Sequence, residues 1–401
     1  MNFNLVQPLR FFFGGGIYHH VANLTVVIMA LAILYLVGLK IWPVSFLLWV
    51  SLIVFASIAI WRAGDFFQPA ADYVQEKHKL PESIKAAVID AIASSFPEFC
   101  VAVIAVILLG RAEVGISSIV GSALYNVLII PAAAGLVAKG PMKIGKEVVW
   151  RDSLMYFGVV ILLLVALLAF PNAWGLGVAA LFILAYVGYI FWLNIDYRKH
   201  KRNLAHEDTD VSVSEDTDVS VSEDADVSVS EDADASDEGE ESELEIRDES
   251  HAWKWILGMM LVMGLASHIL VEASIQLGDL LGIDAVIMGF IVIAAGTSVP
   301  DTVLSVLSAK RGNYDAAISN VFGSNIFDIC ICLSVPILLA LVLTGAVTPV
   351  NLPQIELVYM LVGATALAIY LFWSDNYTLT KTKSTIMFGI YLLIILVAMA
   401  L

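Results

Sequence analysis

The chain has 401 residues, of which 59% are hydrophobic and 15% charged, with a mean hydropathy of +0.85. Soluble domains carry about 25% charged residues, so this composition excludes a cytosolic enzyme and a secreted disulfide scaffold and indicates a polytopic membrane protein. The net charge of −17 also excludes a nucleic-acid binder. Residues 207–249 hold 20 of the 38 acidic residues and one of the 21 basic ones, so this insert contributes −19 and the rest of the chain +2.

Apolar runs of about 20 residues, the length that crosses the hydrocarbon core, predict eleven transmembrane helices. We take the first as an extra helix and the other ten as the core: 22–41, then 44–66, 83–109, 114–138, 152–171, 174–194, 253–278, 284–309, 315–343, 355–373 and 384–401. The three cysteines, Cys100, Cys330 and Cys332, lie inside these runs. We expect them to be packing residues rather than a disulfide framework or a metal site.

The basic residues predict the orientation of the chain, because Lys and Arg concentrate on cytoplasmic loops. With these spans, 19 of the 21 basic residues fall on one side, and only Lys40 and Arg111 fall on the other. This pattern predicts a cytoplasmic N-terminus and insert and an outside C-terminus, in a plasma or inner membrane. The expected organisation is an N-terminus with the extra helix, a first five-helix repeat, a cytoplasmic loop and a second five-helix repeat, at 1–43, 44–194, 195–252 and 253–401.

The acidic insert consists of an eight-residue repeat. It reads EDTDVSVS, EDTDVSVS, EDADVSVS, EDADASDE from Glu207 to Glu238 and contains no aromatic residue. Such a segment cannot bury enough apolar surface to offset its ordering entropy, so we expect a disordered linker. A weak calcium sensor or counter-ion reservoir remains an alternative, although the insert lacks the glycine turn and closing Glu of an EF-hand loop.

The two halves of the chain contain an internal repeat. Residues 91–98 align with 294–301 at an offset of 203, and residues 114–126 align with 316–328 at an offset of 202. Each copy has a Ser/Thr-Ser pair, a Pro, an acid, then Gly-Ser and finally Asn or Asp. Five predicted helices separate the copies, so the second copy must be inverted relative to the first.

The repeat places hydroxyl and carboxylate groups within apolar helices at mid-membrane, namely Ser94, Ser95, Glu98, Thr297, Ser298 and Asp301. A Pro inside each helix predicts a local break there, and irregular backbone at this depth survives where it lines a cavity. Oxygen ligands with two carboxylates suit a hard cation, whereas the absence of nearby His or Cys pairs argues against zinc or copper. A secondary transporter is typical of such inverted repeats. The alternative is that the acids cap broken helices or pair with a buried base.

These motifs resemble those of the cation/calcium exchanger superfamily. The segments 296–302, 310–312 and 323–328 are most similar to the potassium-dependent sodium/calcium exchangers, and 114–126 is similar to the same branch. The resemblance implies an all-α polytopic protein with a ten-helix core of two inverted five-helix repeats, to which the first helix is an addition.

Carried over position by position, the resemblance implies that the Glu98 and Asp301 carboxylates bind calcium, with the Ala91 and Ala294 carbonyls as further ligands. It implies that the sites for sodium or another monovalent cation are shaped by Ser94, Ser95, Ser122, Asn126, Thr297, Ser298, Ser324 and Asp328. An Asp at position 328 also accompanies potassium transport in the potassium-dependent branch.

The first repeat departs from the family pattern at two positions. Ala93 replaces a usual Gly, and Asp90 stands where an apolar residue is normal. Asp90 is either a cytoplasmic vestibule charge that pairs with Lys85, or an additional cation or proton site.

The resemblance implies a secondary antiporter that exchanges calcium for sodium by alternating access, with potassium left open. It implies no enzyme activity, no cofactor and no protein partner; the partners are the lipid bilayer and inorganic cations. One alternative is a proton/calcium antiporter of the same fold, with protons at Glu98, Asp301 or Asp90. A remote one is an intramembrane aspartyl protease, whose paired Tyr-Asp and Gly-x-Gly-Asp signature the chain does not contain. An ion channel is disfavoured because a two-carboxylate site holds calcium too tightly for fast conduction.

Overall fold

A computed structural model of the chain describes residues 15–78, 91–213 and 246–401, with the backbone alone described for 15–18, 91–93, 147 and 196–213. The first half contains α1 (Gly15–Leu36), α2 (Trp42–His78), α3 (Ala91–Val103) with the π-helical turn π1 (Ile104–Leu108), α4 (Ala112–Val137), β1 (Met142–Lys143), α5 (Lys146–Ala169), β2 (Ala173–Trp174) and α6 (Leu176–Val213).

The second half repeats this order with more interruptions. It contains α7 (Glu249–Leu281), α8 (Ala285–Met288), π2 (Gly289–Ile293), α9 (Ala294–Thr297), α10 (Val299–Lys310), α11 (Tyr314–Phe327), π3 (Asp328–Cys332), α12 (Ser334–Thr344), β3 (Thr348–Pro349), α13 (Glu356–Tyr377), β4 (Thr378–Leu379) and α14 (Lys381–Ala398).

The number of helices agrees with the prediction. Within the described residues, nine helices are long and apolar enough to cross a membrane, and the pair Ala285–Thr297 and Val299–Lys310, bent by 46°, makes a tenth. The shorter apolar helix Ser94–Leu108 corresponds to the remaining predicted span. The predicted all-α architecture with an added first helix is therefore confirmed.

Helix α2 is longer than predicted, ending at His78 rather than near residue 66. Its buried face continues through Ala70 and Ala71, which belong to one apolar cluster with Ile256 and Met259 of α7. Because the apolar face persists while polar residues occupy the other face, hydropathy alone underestimates such a helix. At its end, Lys77 and His78 bind the Glu249 carboxylate of α7 at 2.8 and 3.0 Å.

The predicted cytoplasmic loop 195–252 is helical at both ends. Helix α6 continues to Val213 and α7 begins at Glu249, where the Asp248 side chain accepts a hydrogen bond from the His251 N–H at 2.8 Å. Residues 214–245 lie outside the described part of the chain, so the disorder expected there stays a prediction.

Two short antiparallel ladders connect the halves. β1, between α4 and α5, pairs with β4, between α13 and α14; β2, between α5 and α6, pairs with β3, between α12 and α13. Each ladder therefore joins one connection of the first half to the other connection of the second half. This exchange of positions is what two inverted copies of one unit produce.

Lys383, at the start of α14, supports the first of these ladders. It is 6% exposed, and its Nζ donates to the carbonyls of Leu371, Ser374 and Thr378 at 2.8 to 2.9 Å. The three donors of the ammonium group thus bind the carbonyls at the end of α13 and in β4. The last three residues of α13, Asp375 to Tyr377, are not glycine but adopt positive φ, so the helix departs from helical geometry there.

Helix α4 lies at the centre of the molecule, with 83% of its most apolar stretch buried. Small residues allow close approach of its neighbours: a Cβ at Gly121 would lie 2.0 Å from the carbonyl oxygen of Phe290 in π2. Glycine is therefore required where the two repeats cross. The crossing fixes the adjacent Ser122 against the second repeat.

Candidate functional site

The two acids of the internal repeat are both buried in the protein interior. Glu98, in α3, is 0% exposed, and Asp301, in the first turn of α10, is 1% exposed. Their local backbones differ. The predicted break occurs in the second repeat, where Ser298 separates α9 from α10, but α3 continues through Pro97. The break predicted in the first repeat is therefore wrong: proline removes one donor, but a helix supported by its neighbours can continue through it.

Glu98 lies among side chains of both repeats. The hydroxyl of Ser122 lies 3.4 Å from Glu98 Oε1 and 2.9 Å from the Ser298 hydroxyl. The Thr297 hydroxyl, which donates to the Ile293 and Ala294 carbonyls at 3.2 Å, also lies beside Glu98. Glu98, Ser122, Thr297 and Ser298 thus form one polar cluster between α3, α4 and the break in the second repeat.

Asp301 is also surrounded by polar side chains of both repeats. Asn126 Nδ2 donates to Asp301 Oδ2 at 3.3 Å, and Asn320 Nδ2 donates to Oδ1 at 3.4 Å. The hydroxyls of Ser94 and Ser324 lie beside the same carboxylate, and the Ser324 hydroxyl donates to the Val321 carbonyl at 3.3 Å. Ser94 is the repeat equivalent of Thr297, and Ser324 that of Ser122, so each acid is flanked by equivalent residues of the two copies.

Asp328 is the third buried carboxylate of the region and is 0% exposed. It begins the turn π3, and its Oδ1 lies 3.7 Å from Cys332 Sγ. The Ser95 hydroxyl lies nearby but has no hydrogen-bond partner among the described residues, while the charges of Glu98 and Asp301 act on Asp328. The three acids therefore share one electrostatic region.

Among the described residues, four buried side-chain oxygens of this region have no hydrogen-bond partner. Glu98 Oε2, Asn126 Oδ1 and Asp328 Oδ2 accept rather than donate, and the fourth is the Ser95 hydroxyl. In the described part of the chain, no Lys or Arg forms an ion pair with Glu98, Asp301 or Asp328. An unpaired buried acceptor costs about 1–3 kcal/mol. A cation suits several unpartnered acceptors in one buried region, and no buried base of the described residues takes that role.

The geometry also limits the site. Among the described residues, no three His, Cys, Asp or Glu side chains are close enough to hold a metal ion between them. Neutral oxygens would therefore have to supplement the carboxylates. The Ala294 carbonyl already accepts hydrogen bonds from Ser298 N at 3.1 Å and Thr297 Oγ1 at 3.2 Å. Ala91 begins the described part of α3, and Asp90 lies outside the described residues.

Three neighbours of the site were missing from the predicted set. Asn320 donates to Asp301, and Cys332 contacts Asp328. Asn325 accepts from Asn126 at 3.0 Å and donates to the Ala123 carbonyl at 3.2 Å. The repeat alignment contained a signal for the two amides, because positions 320 and 325 are Asn in the second copy and Ser or Ala in the first. Cys332 carries no such signal, because a thiol in an apolar run is usually a packing residue.

Inverted helical repeats that meet at buried carboxylates define this chain as a membrane transporter by architecture. The family model described as "Sodium/calcium exchanger protein" matches residues 47–194 and 251–400. The chain therefore belongs to the sodium/calcium exchanger family, as its motifs predicted. Membership in a family of transporters also removes the intramembrane protease alternative.

Curated relatives match this chain over part of their length. Human sodium/potassium/calcium exchanger 5 is 24% identical over 375 residues, covering 78% of this chain and 74% of that protein. Human sodium/potassium/calcium exchanger 1 is 43% identical over 89 residues, covering 22% of this chain but only 8% of that protein. The chain therefore spans a small part of the length of several relatives.

Solved structures support the fold. An H+/Ca2+ exchanger, CAX, aligns with a TM-score of 0.62 at 11% identity, covering 95% of this chain and 92% of that one. The sodium-calcium exchanger NCX_Mj aligns with a TM-score of 0.54 at 17% identity, covering 88% and 98%. At these identities the likeness establishes the fold alone.

Proposed function

We propose that the chain is an antiporter that moves calcium against another cation, with sodium as the counter-ion. The observation that carries the proposal is the set of three unpartnered acceptor oxygens, on Glu98, Asn126 and Asp328, within one buried region. Family membership supports calcium as one substrate, because the family's members are described as sodium/calcium exchangers.

Calcium prefers six to eight oxygen ligands, and carboxylates, hydroxyls and amide oxygens are all suitable. Glu98 and Asp301 supply two negative charges from opposite repeats, which matches the charge of one divalent ion. The surrounding hydroxyls of Ser122, Thr297 and Ser298 are neutral ligands that suit sodium. In this proposal calcium and sodium compete for shared oxygens, and that competition couples their movement.

Alternating access follows from the same arrangement. Asn126 of the first repeat donates to Asp301, and Ser122 joins Glu98 to Ser298 of the second repeat, so a shift of one repeat against its partner changes the surroundings of both acids. The inverted relation of the halves lets equivalent movements open the site to either side of the membrane. Orientation in the membrane is proposed from the Lys and Arg distribution, with the N-terminus and insert cytoplasmic.

A proton/calcium antiporter is the second candidate. Its support is the third carboxylate, Asp328, which has an unpartnered buried oxygen and lies within the field of two other acids. A buried carboxylate without a cation partner is stabilised by taking up a proton. The similarity in fold to an H+/Ca2+ exchanger is compatible with this candidate.

The test is uptake of radioactive calcium into proteoliposomes with sodium, potassium and pH gradients imposed singly. We expect an outward sodium gradient to drive uptake and liposomes without protein to show none. Uptake driven by a pH gradient in sodium-free buffer would establish the proton-coupled candidate instead. If no gradient drives uptake by correctly inserted protein, the antiport proposal fails.

A further inference from the structure

One face of the molecule exposes a group of basic side chains, which we call the basic face. Its members are Lys139, Lys143, Lys146, Lys310, Arg311 and Lys381, and all are exposed. They belong to the connection between α4 and α5, the end of α10 with its following turn, and the start of α14.

Backbone contacts hold these segments together. Lys143 pairs with Thr378 across the ladder of β1 and β4, three residues before Lys381. The N–H of Gly145 donates to the Asp315 carboxylate at 2.6 Å, which joins the start of α5 to α11, directly after the turn at 310–313. The basic side chains therefore lie on one continuous surface rather than on separate loops.

Three carboxylates beside this surface have partners. The buried Asp152 pairs with Arg151 at 2.7 Å and Asp375 with Lys383 at 3.2 Å, while Asp315 accepts from the Gly145 N–H. In the described part of the chain, none of the six basic side chains of the basic face forms a salt bridge. Among the side chains that the structure describes, the surface thus presents several positive charges without an ion-pair partner.

The chain itself supplies a segment of opposite charge. Residues 214–245 contain 15 acidic residues and no basic one. They connect the end of α6 to the start of α7. Helix α6 runs back from the β2 end of α5 toward its β1 end, so the segment begins on the side of the molecule that carries the basic face.

We propose that residues 214–245 bind the basic face of the same molecule through ion pairs between their Asp and Glu side chains and its Lys and Arg side chains. At random-coil dimensions, a segment of this length would have a root-mean-square span of about 30 Å, which is enough to cross the face. Tethering raises the effective concentration of the segment to about the millimolar range. This tether favours the segment over free anions and over lipid headgroups.

A zero-length carbodiimide tests the contact, because it converts a Lys and carboxylate ion pair into an amide that peptide mass spectrometry identifies. We use full-length protein in nanodiscs of zwitterionic lipid. We expect cross-links from the segment to Lys143, Lys146, Lys310 or Lys381, and none to exposed Lys40 on the opposite face. Their yield should fall at least about fivefold from 0.01 to 1 M salt, as the screening length drops from about 30 to 3 Å.

A variant with all 15 acids changed to Asn or Gln should lose these cross-links while keeping the unfolding temperature of the wild type. Cross-links confined to Lys199, Lys201 and Lys254, which flank the segment in sequence, would overturn the proposal. Loss of the cross-links at 0.1 M salt on adding phosphatidylserine would also overturn it, because lipid headgroups would then occupy the face.

Discussion

Replacement of Gly121 by Ala tests whether the crossing of the two repeats positions the site. A Cβ at this position would lie 2.0, 2.7 and 2.8 Å from the O, C and Cα atoms of Phe290. These are backbone atoms, which cannot rotate away, so α4 and π2 must separate by more than about 1 Å to reach ordinary contact. Overpacking of this kind costs about 1–3 kcal/mol or more. The shift also moves Ser122 relative to Glu98 and Ser298.

Gly323, the equivalent glycine of the second repeat, is the matched control. A Cβ there has its nearest neighbour, the Tyr189 hydroxyl, at 4.0 Å. Alanine should fit and should stabilise α11 by about 0.5–1 kcal/mol. Unfolding temperature in detergent and calcium uptake into proteoliposomes are measured on both variants. We expect Gly121→Ala to lower both values and Gly323→Ala to lower neither. Wild-type stability and uptake in Gly121→Ala would refute the reasoning.

The remaining predictions concern charges. Glu98→Gln and Asp301→Asn should each reduce calcium uptake at least about tenfold, since a charged contact contributes about 1.5–3 kcal/mol, with the unfolding temperature preserved; near-normal uptake would contradict the site. Asp328→Asn should keep calcium uptake but remove whatever potassium or pH dependence the wild type shows, and an unchanged profile would make Asp328 structural. Lys383→Met should lower stability by about 1.5–3 kcal/mol, because the carbonyls of Leu371, Ser374 and Thr378 lose a charged donor; an unchanged unfolding temperature would exclude that role. Deletion of 214–245 should preserve uptake, and lost transport in an inserted mutant would contradict this.

The fold was predictable because its signals are long and repeated. Eleven apolar runs gave the helices, and the copies at 91–98 and 294–301 gave the inversion. The same alignment led to Ser122 and Asn126, which contact Ser298 and Asp301 across the repeats. These contacts follow from symmetry, since equivalent residues of inverted copies must meet near the same axis.

The features that sequence reasoning missed depend on tertiary context. Proline signals a break only where the neighbouring helices do not support continuation, so Pro97 and Pro300 have different outcomes from similar motifs. The π-helical turn π3 places Asp328 and Cys332 beside each other, and no residue pattern in the sequence predicts such a turn. Asn325 is buried by packing between α4 and α11. Single-sequence periodicity cannot separate such a residue from an ordinary helix-facing amide.

Asn126 and Asp328 occupy equivalent positions of the two repeats but differ in charge. This difference sets how much negative charge the site carries. The amide of Asn126 can donate, and it binds both Asp301 and Asn325, whereas the carboxylate of Asp328 only accepts. An exact repeat with Asn at both positions would leave two carboxylates, which one calcium ion neutralises. The Asp adds one negative charge on the second repeat alone. In the proposed calcium-bound state that charge would require a further monovalent cation or a proton, so we infer that the counter-ion depends on the side chain at which the two copies differ.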